Sequence, residues 1–394
     1  MKATKWKSYS LALIAGMSVL TACSSDDNND NGGNGNNGNG NEIENGTTLK
    51  GTITSDVTLT AGSTYKLSGE YIVEDGATLN IEAGVKIISI YDDIVDYILV
   101  KQGGKINAVG TSSAPIVMTS EKEEPGAWGG IHICGKAHTN AEGGKGSSEI
   151  GGATYGGNDD ADNSGTLKYV RVEYSGYAFD SEHEANGITF YGVGNGTTVE
   201  YCQAYKGSDD GFEFFGGSVN VSNLVSVSCS DDSFDWTEGW NGKGTNLVAY
   251  QEAESTLGYD CDCLIEADNN ENNYAATPVA HPVLKNLILV GNNSAAGNRG
   301  IRLRRGTQVE IDGAKVCGKK NAVTLESEET ENALLAGTSK LANMTVDSEL
   351  RSEKNIYTND NFVSAGNTVD TSLKYTSFDD IKAECEWMAG NWVK

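Results

Sequence analysis

Proline is scarce in this chain, with 4 in 394 residues, and histidine is no commoner. So little proline excludes a Pro-rich disordered chain. The four histidines (His132, His138, His183, His281) show no metal-ligand spacing, and His183 among Asp180, Glu182 and Glu184 reads as a charge-paired loop residue. Cys261-x-Cys263 has no second close pair, which argues against a zinc site. Positive charge is also short: 29 Lys and Arg face 55 Asp and Glu, for a net charge of −26. Without residues 1–22, which carry three lysines and no acid, it becomes −29. Nucleic acid is excluded as a partner, because its affinity comes from cationic contacts to phosphate. An acidic surface suits solubility and cation binding. What the chain has in excess is glycine (49), with Asn, Asp and Ser punctuating Val, Ile, Thr and Tyr. That composition suits many short strands joined by tight turns.

Three segments between Gly187 and Trp240 are versions of one another: Asn186–Gly192, Asp210–Gly216 and Asp232–Glu238. Ile188/Phe190, Phe212/Phe214 and Phe234/Trp236 alternate with Thr189, Glu213 and Asp235, at offsets of 24 and then 22 residues. Alternation of period two is a strand, and repetition slightly above twenty residues is a solenoid signal. The expected body is an all-β parallel solenoid over residues 47–320. Thr52-Ile-Thr54, Tyr71-Ile-Val73 and Val85–Ile88 are among its early strands. Lys136–Gly165 lacks apolar rhythm and reads as a long insertion loop; its Gly156–Asp162 run lacks EF-hand spacing. Past Lys320 the pattern weakens into a C-terminal extension, 321–394. There Ser377–Met388 reads as a capped amphipathic helix, with Phe378, Ile381, Cys385 and Met388 on one stripe. It is expected to pack on the solenoid or cap an open end.

The N-terminus has a basic start, Met1–Lys7, then a short apolar run, Leu11–Leu20, too short to span a membrane. It ends in Leu20-Thr-Ala-Cys23, which resembles the lipobox of bacterial lipoproteins. The resemblance implies a signal peptide over 1–22, cleavage before Cys23 and a lipid on that cysteine, hence a membrane partner. Ser24-Ser-Asp-Asp27 resembles the export tag of Bacteroidota surface lipoproteins, which implies the outer membrane with the body facing the exterior. Residues 23–46, rich in Asn and Gly, form a flexible tether with a root-mean-square span of about 25 Å. Seven cysteines remain, an odd number. Cys202 and Cys229 follow similar strands and are placed to bridge. Cys261 and Cys263 share a face with Ile265 and read as inward.

The run Gly110–Thr119 with Ala127-Trp-Gly-Gly-Ile-His-Ile-Cys134 resembles the early coils of right-handed parallel β-helix lipoproteins of Bacteroidota. That implies a right-handed, pectate-lyase-like β-helix and says almost nothing of activity. Equivalent positions of successive coils stack about 4.8 Å apart, so outward residues form a column: Thr189, Glu213, Asp235, then Asp262, then Arg302. Asp209, Asp210, Asp231 and Asp232 stand beside it at the turns, with Glu238 downstream. Stacked carboxylates ask for a bound cation, cationic neighbours (Arg302, Arg304, Arg305, Lys206, Lys243) or raised pKa values. Calcium, Ca2+, suits clustered carboxylates; solvated turn aspartates are the alternative.

Ser208–Phe212 and Ser230–Phe234 further resemble the aspartate-bearing coils of calcium-dependent pectate lyases. This implies Asp209, Asp210, Asp231, Asp232 and Asp235 as ligands and Lys206 as a base. Paired acids for inverting glycoside hydrolysis are a second enzymatic reading. Of the clustered aromatics, including Phe179, those outside the alternation (Tyr177, Tyr205, Trp240) are candidate sugar platforms, with Arg302 and Arg304 as further ligand contacts. The leading expectation is a surface lipoprotein binding an extended polysaccharide or cell-surface glycan. A calcium-dependent polysaccharide lyase and an adhesin or scaffold are the alternatives.

Overall fold

The computed structural model describes residues 41–178, 184–295 and 297–394. The leader, Cys23, the tether up to residue 40, Phe179 and His183 lie outside the described residues.

The described chain winds into a parallel β-helix whose strands form one sheet of 25 strands. The coils from Thr78 to Cys134 carry three short strands each. In later coils two of these fuse into one long bent strand: Gly165–Glu173 pairs with both Lys105–Val109 and Ile116–Ser120. The long strands then stack in order through Thr198–Tyr205, Asn220–Val227, Lys243–Tyr250, Val283–Val290, Glu310–Cys317 and Lys340–Val346. Their bend falls on one column of residues at positive φ: Tyr169, Tyr201, Asn223, Asn246, Asn286, Gly313 and Asn343. Asparagine and glycine tolerate this left-handed region better than other residues, so the sequence turns the corner at the same place in each coil.

The short strands stack as a second column: Ile131–Cys134, Ile188–Tyr191, Phe212–Phe215, Phe234–Thr237, Ile265–Ala267, Arg299–Leu303 and Asn321–Leu325. The three repeats align in register, Thr189 to Glu213 to Asp235. Their alternate residues fill the core. Phe190 stacks on Phe214 with centroids 5.1 Å apart, and Phe212 on Phe234 at 5.5 Å. Each such pair adds about 0.5–1.5 kcal/mol beyond its buried area.

The coils do not end at Lys320. They continue through Arg351–Ser352 and Thr368–Val369. The repeat is hard to read there because the helices Glu328–Ala336 and Asn359–Ser364 interrupt it. Phe362, from the second of these, is fully buried in the core. The terminal helix Phe378–Glu384 is capped by Ser377, whose side chain accepts the Asp380 N–H. It packs on the flank of the coil stack: Ile381, Cys385 and Met388 lie with Val225, Val248, Val290 and Cys317.

No disulfide forms among the described cysteines, and all seven are buried thiols. Cys202 is in register with Leu224, so Cys229, beyond the strand end, does not stack on Cys202. Ile265 points into the core, whereas Cys263 turns towards Asp262, with Sγ 3.5 Å from Oδ1.

Candidate functional site

The outward column on the short-strand face runs Leu99, His132, Thr189, Glu213, Asp235, Glu266, Arg302, Thr324. Glu266, not Asp262, follows Asp235. The loop between Tyr250 and Ile265 lengthens that coil and moves the in-register acid further along the chain. Burial holds His132, at the neutral end, down to about 4.

A second line of acids stands at the turn before each strand. Asn186 Oδ1 accepts the Asp210 N–H at 3.2 Å, Asp210 Oδ1 accepts the Asp232 N–H at 2.8 Å, and Asp232 Oδ1 accepts the Cys263 N–H at 2.6 Å. One oxygen of each aspartate therefore ties its coil to the next, the ordinary backbone duty of a turn aspartate. The carboxyl groups also meet one another. Ligand atoms of Asp210, Glu213 and Asp235 lie within 4.8 Å of one another, as do those of Asp210, Asp231 and Asp232, and those of Asp232, Asp235 and Glu266. Glu184, Asp209 and Asp231 make a further such group towards the rim, and Asp232, Asp262 and Cys263 another.

Such crowding favours protonation. Desolvation first, then the neighbouring carboxylates, hold Asp210, Glu213, Asp232 and Asp235 well above the usual carboxylate range. The same causes, with Glu184 the leading neighbour, push Asp209 up to about 8. Asp231 is open to solvent at the rim, yet desolvation of its carboxyl and then Asp262 and Glu266 push it up to about 6. Burial also raises the Cys263 thiol, followed by Asp232 and Asp262, so it stays a thiol beside an oxygen-rich cluster.

Arginines compensate only one end. Arg302 bridges Glu266 and Glu326, Arg304 bonds Glu266 and Asp268, and Arg305 reaches Asp268 at 2.7 Å. Among the described residues no Lys or Arg forms an ion pair with Asp210, Glu213, Asp232 or Asp235. Six carboxylates from three coils, Asp210 and Glu213, Asp231, Asp232 and Asp235, and Glu266, all-oxygen and partly buried, fit a hard divalent cation such as Ca2+.

The insertion supplies one wall. Lys136–Gly165 is not a plain loop: Gly146–Ser147 and Thr154–Tyr155 form a short antiparallel hairpin. Tyr155 packs at a tilt against Tyr191 with ring centroids 5.2 Å apart, and its hydroxyl donates to Glu238 at 2.8 Å. Within the Asp-rich run, Asp160 holds His138 at 2.6 Å and Asp162 accepts from Ser164, so those acids serve the loop itself. The cleft of about 270 Å3 is lined by Glu149, Glu213, Asp235, Glu238, Asp268, Glu271, Arg304 and Arg305. It shares Glu238, Asn270 and Asn272 with an adjoining cavity of about 430 Å3.

Several expected site residues lie elsewhere. Trp240 is no sugar platform: it is 1% exposed, stacks on Phe214 at 4.1 Å, and donates its indole N–H to the Val219 carbonyl. Lys206 is bound to Glu252 at 2.8 Å, away from the acids. Burial works against its charge most strongly, but the hydrogen bonds and charges of Glu252 and Tyr205 together outweigh that and raise it, the wrong direction for a base. Tyr205 is half-buried on the flank against Tyr174, with the Lys394 ammonium over its ring. Arg302 and Arg304 reach the cluster but are occupied by Glu266, Glu326 and Asp268. Tyr177 remains exposed. Glu149, Glu184, Glu266 and Asp268 were not singled out as site residues. Glu266 carried a signal, because Ile265-Glu-Ala267 repeats the apolar–acid–apolar pattern of Phe234-Asp-Trp236.

No curated protein matches the chain. Among solved structures, the crystal structure of the Dettilon tailspike protein is similar at 8% identity and a TM-score of 0.34. The match covers 76% of this chain and 56% of the tailspike chain, so this chain spans little more than half of that protein's length. A family profile for a pectate-lyase-like β-helix domain matches residues 51–394, which takes in the coils, the acidic face and the C-terminal helix alike. The chain belongs to the pectate-lyase-like β-helix domain family.

Proposed function

We propose that the acidic cleft is a divalent-cation site, with Ca2+ the best-fitting ion, and that the face around it binds an extended glycan. Uronate-bearing polymers are the ligand class that a cation on this face would select, since its charge would neutralise the sugar carboxylates. One observation carries the reading: Asp210, Glu213, Asp232 and Asp235 crowd within overlapping groups of 4.8 Å. In the absence of an ion, each pair costs about 3 kcal/mol at an effective dielectric of about 20 if both members ionise, so protonation or a cation must relieve it. Ca2+ would supply the missing positive charge and an acceptor-binding pole for the sugar. The carboxylates of the chain would hold it, and Asn270 and Asn272 offer amides at the cleft edge.

The body would work at the cell surface. The lipobox-like Leu20-Thr-Ala-Cys23 and the Asn/Gly tether support a lipid-anchored outer-membrane protein facing the exterior. A polysaccharide lyase needs a neutral Lys or Arg beside the sugar. Lys206 stands apart, and Arg302 and Arg304 are held charged by their carboxylates, which favours binding over cleavage. Incubation with uronate polymers in calcium and in chelator tests both. Calcium-dependent retention without ultraviolet-absorbing unsaturated product is expected. Product formation would move the assignment to lyase, and retention equal in chelator would remove the cation from it.

A further inference from the structure

On the flank away from the acids, the bend column and the C-terminal segment enclose a groove of about 430 Å3. Side-chain amides run along its floor. Asn246 donates to Asn223 Oδ1 at 2.8 Å, and Asn286 donates to Asn246 Oδ1 at 3.3 Å. The ladder then breaks at Gly313, which is in register with the asparagines and has no side chain to donate back. Asn343, one coil on, turns instead to Asp312 Oδ1 at 2.7 Å. The break leaves a hollow one residue deep, with Asn286 Oδ1 on its wall: a Cβ at 313 would meet that oxygen at 3.5 Å. Ile288 gives an apolar strip, and half-buried Trp387 lines the opposite side. Lys315 and Glu384 also line the groove and bridge each other at 2.5 Å, so its charges cancel.

We propose that this groove is a second ligand site, for a neutral oligosaccharide. An indole beside amides suits a sugar ring, whose C–H face is apolar and whose hydroxyl edge both donates and accepts. A pocket of this volume holds one or two such rings. The neutral Lys315–Glu384 pair disfavours an acidic sugar, in contrast to the cleft on the other face. The proposal stands independently of the cation reading.

The test is a tryptophan-fluorescence or calorimetric titration in chelator with cellotriose, maltotriose and mannotriose. At least one is expected to saturate with Kd on the order of 1 mM. Trp387→Ala is expected to weaken that binding about tenfold. Gly313→Asn, which a left-handed φ of +84° accommodates, completes the amide ladder, fills the hollow and is expected to abolish binding with melting unchanged. If Trp387→Ala disturbs folding, Gly313→Asn alone decides. No saturation by any of the three sugars would overturn the proposal. So would binding unaffected by Gly313→Asn, or binding lost only in Asp210→Asn with Asp235→Asn.

Discussion

Replacing Asp232 by asparagine separates its two duties. The asparagine Oδ1 keeps the acceptor for the Cys263 N–H, while one negative charge leaves the centre of the cluster. Asp232 belongs to three of the crowded groups, each within 4.8 Å. Two charges at that separation repel by about 3 kcal/mol at an effective dielectric of about 20. Removing one stabilises the chelated protein by up to about that amount at a pH high enough to ionise the cluster. For a chain of this size that corresponds to a rise in Tm of roughly 5 °C. Wild type should regain a similar amount from calcium at about a hundred times its Kd, about 2.7 kcal/mol. The melting temperatures should therefore converge: Asp232→Asn is the more stable in chelator and shows no calcium increment, whereas wild type rises with calcium to about the same level. Differential scanning calorimetry at fixed pH reads both. A variant less stable than wild type in chelator would refute the repulsion argument. A calcium increment unchanged by the substitution would refute the assignment of Asp232 to the site.

The chelated protein should lose stability as pH rises. Asp231 and Asp209 titrate in the fold at about 6 and about 8, against 3.8 for the free group. The folded state thus binds more protons than the unfolded one between pH 4 and 8, and stability falls across that window; calcium should flatten the slope, as urea titrations at several pH values will read. Glu331 is the opposite case. Although buried, it accepts from Ser352 and from the N–H groups of Lys354, Ile356 and Tyr357, and these bonds outweigh its desolvation and hold it below the usual carboxylate range. Glu331→Gln should cost about 2–3 kcal/mol in urea denaturation, and the wild-type contribution should fade as pH drops through the depressed pKa. Trp240→Ala should cost about 3–5 kcal/mol of stability and leave glycan affinity per folded molecule unchanged; a selective loss of binding would return Trp240 to the ligand.

The repeats that carry Thr189, Glu213 and Asp235 were legible because apolar partners at Phe190, Phe214 and Trp236 fix their face, and a parallel register propagates it coil by coil. Legibility stopped where coil length changed. Glu266 follows Asp235 in space but 31 residues later in sequence, beyond the repeat interval. Trp240 stood outside the alternation and looked free, yet its chain turns inward to stack on Phe214. The coils beyond residue 320 were hidden by two helices spliced between strands. Glu149 and Glu184 arrive from insertions folded over the face, and no periodicity relates them to the column they meet.

Titrating calcium into chelator-stripped protein by isothermal calorimetry, in buffers of different ionisation enthalpy at pH 6.5, addresses the acidic cleft directly. Asp209, pushed up to about 8 by burial and then by its acidic neighbours, must release its proton when the ion binds. The expected result is saturable binding whose heat depends on the buffer, lost in Asp210→Asn with Asp235→Asn. Absence of saturable heat, or binding that persists in that double variant, would contradict a cation site in the cleft.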